Sequence, residues 1–192
     1  MLLTIALEHS PSSDIGYLFH KHPDRFHSVK IPVGEAHVFD PEVTETTATI
    51  ALLLDINPID LVRGRRTGKG NDFSLQPYVN DRPYVASSFM SVAISKAFST
   101  AMNGKSKERP ELVDELFQIE VNVSAVPAPK GGEELIKKLF GPLGYEITTR
   151  QYVLDDMFPK WGASKYFHLE LSHKIRLKDL LTHLYEIGRA HV

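Results

Sequence analysis

The sequence contains no cysteine. This absence excludes disulfide bonds, a thiol nucleophile and cysteine-ligated metal, and because it fits a reducing compartment we expect a cytoplasmic protein. Long apolar runs are missing too: one of the longest, at residues 50–54, is far too short to span a bilayer. No basic residue precedes the apolar Leu2 and Leu3, so the N-terminus is typical of a first strand and not of a signal peptide.

Neither sign of charge is in large excess, since 22 Lys and Arg residues stand against 24 Asp and Glu. Strong attraction of the whole surface to nucleic acid is therefore not indicated, which leaves only a local basic patch for such a role. With 192 residues, of which 42% are hydrophobic and 24% charged, the composition is that of a globular protein with one substantial core or two small ones.

Motifs for nucleophilic catalysis and nucleotide binding are also absent. A P-loop has a glycine five positions before its Gly-Lys pair and a Ser or Thr after that pair. Here Arg63 stands five positions before Gly68, and Gly70 follows Lys69. The sequence has no Gly-x-Ser-x-Gly elbow and no dinucleotide-binding fingerprint after a strand. We therefore predict neither a catalytic nor a cofactor-binding residue.

Metal-ligating patterns fail on spacing. His20 and His22 are two residues apart, so on a helix they point away from each other. Asp155 and Asp156 are adjacent and point to opposite sides of an extended chain, which prevents them from acting on one substrate as an acid and a base. We predict no metal site.

The chain does contain a diverged internal repeat. Alternating apolar and polar residues predict half-buried strands at residues 3–8 and 119–124. Each is followed by a helix with apolar residues at i, i+3 and i+4, namely Ile15, Leu18 and Phe19 in the first and Ile136, Leu139 and Phe140 in the second. The predicted class is α+β, with a mostly antiparallel sheet from two strand-helix-strand-strand-helix repeats. The alternative is that the similarity of the two halves is a coincidence, because any two α+β segments share so coarse a pattern of strands and helices.

One constant offset aligns the later strands of the two halves. It aligns the start of the strand at residues 26–33 with the start of the strand at 145–154. It also places residues 48–56 against 167–175, so that Ile50, Leu52 and Ile56 correspond to Leu169, Leu171 and Ile175. We expect one domain over residues 1–187, with pseudo-repeats at about 1–63 and 117–187 joined by 64–116. Residues 188–192 follow the last helical pattern, and we interpret them as a vector-derived remnant.

The strongest helical pattern lies between the repeats. Apolar residues recur at helical spacing from Met90 to Met102, and Ser87 or Ser88 is expected to cap this helix at its N-terminus. Because the helix is amphipathic, we expect it to pack between or beneath the two repeats as a central element.

Two places in the sequence are candidates for partner contacts. Residues 76–89 combine prolines, tyrosines and an Asn-Asp-Arg turn, and from them we predict contacts by Tyr78, Asn80, Asp81, Arg82 and Tyr84. Trp161 is a second candidate, because a lone tryptophan in a loop is typical of an interface anchor. The alternatives are that both tyrosines are buried beside a self-satisfied turn, and that Trp161 covers the core.

A polar, glycine-rich loop at residues 63–71 is the candidate for phosphate or RNA contact. Arg65, Arg66 and Lys69 lie in this loop, and Lys107 and Arg109 extend the basic set further along the chain. The alternative is a solvated loop, which is the usual role of a run of charges.

Several segments resemble one known family: Leu2-Leu-Thr-Ile5, Gly16-Tyr-Leu-Phe-His-Lys-His-Pro-Asp-Arg25, Glu35-Ala-His-Val-Phe39, Leu52-Leu-Leu-Asp-Ile-Asn-Pro58, Tyr78-Val-Asn-Asp-Arg-Pro-Tyr-Val-Ala-Ser-Ser88 and Lys107-Glu-Arg-Pro-Glu-Leu112. Together they are similar to the N-terminal half of the bacterial Hen family, RNA-repair methyltransferases that act on the 3′-terminal ribose 2′-hydroxyl. The resemblance extends to about Leu184 and is most specific at residues 78–88 and 16–25.

The resemblance implies a function without catalysis in this chain. The family's methyltransferase half, with its S-adenosylmethionine and divalent metal, lies beyond the resembling half, so no catalytic, cofactor or metal residue is carried over. The N-terminal half binds the ligase domain of the bacterial polynucleotide kinase-phosphatase-ligase and activates its RNA ligase activity. We therefore expect a ligase-activating fragment that forms a hetero-oligomer with this partner. The alternative is an RNA-binding module that positions the broken RNA end.

Overall fold

The computed structural model describes residues 1–19, 26–32, 34–57 and 84–190. The strands are β1 (Leu2–Glu8), β2 (His27–Ile31), β3 (Gly34–Val43), β4 (Thr47–Ile56), β5 (Phe117–Pro127), β6 (Glu146–Val153) and β7 (Ala163–Ile175). The α-helices are α1 (Ile15–Leu18), α2 (Tyr84–Ala97), α3 (Ser99–Met102), α4 (Gly132–Phe140) and α5 (Leu177–Ala190). Short 3₁₀ helices lie at Ser12–Asp14, Pro110–Asp114, Gly141–Leu143 and Pro159–Trp161. Within the described ranges no helix is both long enough and apolar enough to cross a membrane.

The seven strands form one sheet in the order β2-β3-β4-β1-β5-β7-β6, and each neighbouring pair is antiparallel. This confirms the predicted α+β class. The first strands of the two halves, β1 and β5, pair at the middle of the sheet. Both halves therefore contribute to a single continuous layer.

The pairing of β1 with β5 shows a local two-fold relationship. Leu3 lies opposite Val123 and Ile5 opposite Val121, with Thr4 and Asn122 paired between them. A two-fold rotation about the Thr4–Asn122 pair therefore places β1 on β5 and Leu3 on Val121, with the pairing unchanged. The neighbouring strands obey the same relationship, since Leu3 pairs with Leu52 as Val121 pairs with Leu171. Leu52 therefore corresponds to Leu171, as it does when residues 48–56 are aligned with 167–175.

The constant offset is wrong for the strands before these. β6 pairs with β7 as β3 pairs with β4, so the counterpart of β6 is β3. Within residues 26–33 lies β2 (His27–Ile31), an additional strand at the edge of the first half. The sequence was misleading here because successive strands of a meander share the same two-residue alternation, so the pattern does not say which of two strands is equivalent.

The core lies on one face of the sheet, beneath the helices. Leu3, Ile5 and Leu7 point to this face from β1, and all are almost fully buried. Ile15, Leu18 and Phe19 are buried as the first repeat predicts, and Ile136 and Phe140 of α4 are buried as the second predicts. Helix α2 contacts β4 and β5, which come from different halves, and this confirms its central position.

The ends of two helices differ from the predictions. Helix α2 begins at Tyr84, so Ser87 lies inside it and its backbone carbonyl accepts a hydrogen bond from Ser91 Oγ at 3.1 Å. The expected serine cap is therefore wrong, because the helix already includes the three residues before Ser87. Helix α5 continues through Gly188 to Ala190 and does not end before residue 188.

Candidate functional site

The hairpin loop between β6 and β7 exposes large apolar side chains. Met157 is 83% exposed, Trp161 62% and Phe158 54%, and Val153 and Leu154 beside them are exposed to a similar degree. We call these five residues the hairpin tip. Single exposed apolar residues are ordinary, whereas several gathered in one loop are typical of an interaction surface.

Local hydrogen bonds shape this loop. The N–H of Leu154 donates to the carbonyl of Gly162 at 3.2 Å, which closes the loop at its base. Asp155 Oδ1 accepts the N–H of Met157 at 2.7 Å, so this carboxylate serves the turn, in keeping with the prediction that Asp155 and Asp156 are not an acid–base pair. Gly162 has φ of +82°, a left-handed conformation that favours glycine.

Phe158 and Trp161 stack on each other within the tip. Their ring centroids are 4.9 Å apart and their planes differ by 15°. The 3₁₀ helix at Pro159–Trp161 brings the two rings together, and the N–H of Trp161 donates to the Phe158 carbonyl at 3.0 Å. Trp161 therefore does not cover the core, and the rings present a preformed aromatic surface to solvent.

The other predicted partner contacts lie mostly where the structure is not described. Tyr78, Asn80, Asp81 and Arg82 fall within residues 58–83, outside the described ranges. Tyr84 is the first residue of α2. These contacts remain predictions.

Of the predicted basic set, only Lys107 and Arg109 lie among the residues that the structure describes. Arg65, Arg66 and Lys69 lie outside the described residues, as do His20 and His22. Lys107 is exposed, whereas Arg109 is partly buried and its Nη2 donates to Asp14 Oδ1 at 3.1 Å. The guanidinium also lies 5.9 Å from the centre of the Tyr17 ring. Arg109 is thus already paired within the chain, and RNA contact by this set remains a prediction.

Sequence reasoning missed a cluster of aromatic and imidazole groups under α5. Tyr145 Oη lies 2.9 Å from Nδ1 of His183, and the rings of Tyr145 and His173 are 5.1 Å apart. Burial raises the pKa of Tyr145, and the Asp179 carboxylate adds to this effect. Burial also lowers the pKa of His183 and outweighs the opposing influence of Asp179, so both groups are neutral near pH 7. The contacts serve packing between α5 and the sheet.

The described residues enclose a small apolar cavity between the helices and the sheet. An apolar cavity of about 60 Å³ lies where α2, α4 and α5 meet above the sheet, lined by residues such as Leu3, Ile94 and Ile136. Ligand sites commonly have volumes of about 300 Å³ or more. Among the described residues no group of three or more His, Asp and Glu side chains is arranged to hold a metal ion.

Exposed apolar side chains gathered in one loop, as in the hairpin tip, are typical of protein-association surfaces. The sequence matches the family model described as the RNA repair, ligase-Pnkp-associating region of Hen1 over residues 1–187. The chain therefore belongs to this family, as the resemblance of its sequence segments indicates. The family description concerns an associating region, which fits the prediction of a non-catalytic segment.

Two solved structures of a Pnkp1/Rnl/Hen1 complex share the fold. The first, described as an RNA repair complex, contains a chain that matches with a TM-score of 0.54 and 12% identity, and the second matches with the same score and 13% identity. Each match covers 100% of this chain but only 42% and 41% of the other chains, so this chain spans about two-fifths of their length. No curated protein matches the sequence.

Proposed function

We propose that this chain is a non-catalytic module that binds the RNA ligase of a bacterial RNA-repair complex and activates its ligase activity. Membership of a ligase-Pnkp-associating family supports the association. The observation that carries the proposal is the hairpin tip, whose stacked Phe158 and Trp161 are more than half exposed. We assign these rings the role of anchors on the ligase domain of Pnkp.

The tip is suited to this role because its shape exists before binding. Hydrogen bonds from Leu154 to Gly162 and from Trp161 to Phe158 close the loop in the free chain. Ordering a mobile side chain at an interface costs about 0.5–1.5 kcal/mol, and a preformed aromatic pair avoids part of this cost. Tryptophan is also among the residues most often found as energetic hot spots.

Activation follows from differential binding. If the tip binds a ligation-competent conformation of the ligase more tightly than the resting one, association shifts the ligase toward the competent state. This chain then needs no reacting group of its own, and its contact with RNA is indirect. S-adenosylmethionine and a divalent metal belong, under this proposal, to a part of the protein outside this chain.

The test is to change Trp161 to Ala and Phe158 to Ala and to measure both affinity for Pnkp and stimulation of RNA joining. We expect each change to weaken binding by about 2 kcal/mol or more, which is about thirtyfold in Kd, because a hot-spot ring is removed. Stimulation should fall in parallel at subsaturating concentrations and recover when the variant is in excess.

The matched control is Leu116→Ala, which removes a similarly exposed apolar side chain outside the tip. It should leave affinity and stimulation unchanged. Trp161→Ala and Phe158→Ala variants that bind as the control does would exclude the tip as the anchor. A wild-type chain that binds Pnkp without raising its ligation rate would exclude activation while leaving association intact.

The residues near α2 form a second proposed surface. We propose that this surface includes Tyr78, Asn80, Asp81, Arg82 and Tyr84. Arg82→Ala tests it, and should reduce stimulation of ligation if the Arg82 guanidinium contacts the ligase. Unchanged stimulation by a folded Arg82→Ala variant would remove Arg82 from the interface.

A further inference from the structure

Strand β6 leaves one edge of the sheet unpaired. It is the last strand in the sheet order and pairs only with β7. Its register with β7 is regular from Glu146 to Gln151, and in this stretch no backbone group bonds to the backbone of a described residue outside the β6–β7 pair. The N–H and C=O groups that point away from β7 are therefore available to another strand.

The two edges of the sheet differ in how far they are protected. Natural edge strands are commonly short, interrupted by proline, or covered by other groups, and these features prevent pairing with another chain. At the opposite edge, β2 has only five residues, and its Lys30 carbonyl accepts a hydrogen bond from Lys96 Nζ at 3.0 Å. β6 has eight residues without proline or glycine, and Ile147, Thr148 and Thr149 are good strand formers. An uncovered edge of this kind is suited to pairing with a further strand.

The charged residues of β6 restrict which strand can pair with it. Glu146 and Arg150 are both exposed, and because they are four residues apart on a regular strand they project from the same face of the sheet. Neither forms an ion pair with another described residue. In an antiparallel arrangement, a second copy of β6 presents the same two charges in the opposite order. The strand is therefore complementary in charge to its own copy.

Two-fold symmetry limits the registers that two copies of β6 can adopt. The axis relating antiparallel neighbours in one sheet is perpendicular to the sheet, so one residue lies opposite its own copy and both copies keep their helices on the same side. With Thr148 at this centre, Glu146 of each copy lies opposite Arg150 of the other. A centre at Glu146 or Arg150 places like charges opposite each other. A centre at Ile147 or Thr149 leaves both charges without an opposing charge.

We infer that two copies of this chain pair through β6 with Thr148 at the centre, which joins their seven-stranded sheets into one continuous sheet. The interface then holds two Glu146–Arg150 pairs and a contact between the two Thr148 side chains, and cross-strand pairs of both kinds stabilise sheets. An interface between one pair of short strands is small beside the standard size of about 1,600 Å². The dimer is therefore reversible and forms at high chain concentration.

The hairpin tip stays free in this dimer. The tip begins at Val153, whereas the charge pairing covers residues 146–150. Because the two strands are antiparallel, one tip lies at each end of the paired strands. If each tip binds a ligase domain, the dimer holds a dimeric ligase at two points and more tightly than either tip alone. The pairing itself needs no ligase and does not rest on the proposed function.

Analytical ultracentrifugation of the chain alone tests the inference. The wild-type chain should show a reversible monomer–dimer equilibrium within about 1 μM to 1 mM. Glu146→Arg and Arg150→Glu each place like charges opposite each other twice in the interface, so each should raise the dimer Kd by at least about tenfold. An equimolar mixture of these two variants should dimerise about as well as the wild type, because the two cations of one copy then lie opposite the two carboxylates of the other.

The matched controls are Glu108→Arg and Lys107→Glu, which change the net charge by the same amounts at exposed positions outside β6. Each should leave the dimer Kd close to the wild-type value. A wild-type chain that remains monomeric over the whole concentration range would overturn the inference. Test variants that dimerise as the controls do, or a mixture that dimerises no better than its components, would also overturn it.

Trp161→Ala distinguishes pairing through β6 from association through the apolar hairpin tip. This variant should keep the wild-type dimer Kd. A dimer that is lost in Trp161→Ala but kept in Glu146→Arg would place the contact at the tip and overturn the inference. These measurements contain no Pnkp, so their outcome is separate from whether the chain binds the ligase.

Discussion

Arg109 and Asp14 form a two-point ion pair between segments far apart in the sequence. Nη2 of Arg109 donates to Oδ1 of Asp14 at 3.1 Å, and Nε lies 3.0 Å from Oδ2. The hydrogen bond to Asp14 raises the pKa of Arg109 further above its ordinary value. The pair joins the segment before β5 to the residues that precede α1.

This pair predicts energetic coupling between positions 14 and 109. Asp14→Ala and Arg109→Ala should each lower the midpoint of urea unfolding, and the double variant should lower it by less than the sum of the two. Additive losses in this double-mutant cycle would show that the pair contributes no coupling. If Arg109 instead serves only RNA, Asp14→Ala would leave stability unchanged.

The contact of Gly188 with α2 predicts intolerance of a larger residue. A Cβ at Gly188 would overlap Oγ of Ser91, which is buried and hydrogen-bonded to the Ser87 carbonyl. Gly188→Ala should therefore cost about 1–3 kcal/mol in the free energy of unfolding, as overpacking typically does.

Two variants make the Gly188 measurement specific. Gly141→Ala is the control, because a Cβ there meets nothing within 4 Å and φ is −57°, so this change should be neutral or slightly stabilising. Ser91→Ala removes the obstructing oxygen and should restore part of the loss when combined with Gly188→Ala. A destabilisation of Gly188→Ala that Ser91→Ala leaves unchanged would contradict the steric account.

The two-fold relationship in the sheet predicts similar costs at equivalent positions. Leu52 and Leu171 are both 1% exposed, and they pair with Leu3 and Val121 at matching places. Leu52→Ala and Leu171→Ala should each lower the free energy of unfolding by about 2–5 kcal/mol. Leu53→Ala should cost much less, because Leu53 lies on the face of the sheet away from the helices and is 37% exposed. A large difference between Leu52→Ala and Leu171→Ala would show that the halves pack unequally.

His183 predicts a loss of stability on the acid side. Its pKa is lowered in the folded chain by burial, and the positive form of nearby His173 acts in the same direction, while Asp179 opposes it. The unfolded chain then binds the proton more readily, so this contribution is present above the ordinary histidine pKa and is lost as pH falls. His183→Gln should reduce the fall in urea midpoint between about pH 7.5 and 5.5. An unchanged pH profile would refute this assignment.

Tyr145 predicts a loss of stability on the alkaline side. Because burial raises its pKa, the stabilising contribution is present below the ordinary tyrosine value and decreases once pH rises above about 10. Tyr145→Phe should flatten the alkaline limb of the stability profile while losing the hydrogen bond to His183 at every pH. Identical alkaline limbs for Tyr145→Phe and wild type would contradict it.

The candidate site illustrates what local sequence can and cannot predict. Trp161 was identified from its type and its loop, and the structure places it in the exposed tip. Its stacking on Phe158 was not predictable, because the 3₁₀ turn that joins the rings depends on the hairpin closing around it. The sequence placed Arg109 in the basic set and could not show its pairing with Asp14, because Asp14 lies 95 positions away.

The sequence by itself determined the elements with strong periodicity. Alternation predicted β1 and β5, helical spacing predicted the buried sides of α2 and α4, and the match between residues 48–56 and 167–175 predicted equivalent strands. These patterns are local, since each records only which side of an element avoids water.

Only the tertiary structure decided which strands are neighbours and which polar residues share a face. The two-residue period of a strand is the same for β2 and β3, so the sequence could not show that β3 is the counterpart of β6. Nor could it show that Glu120, Glu146 and Glu170 lie together, because their proximity depends on the register of three strands. Register is a property of pairing between distant segments, and pairing exists only in the folded chain.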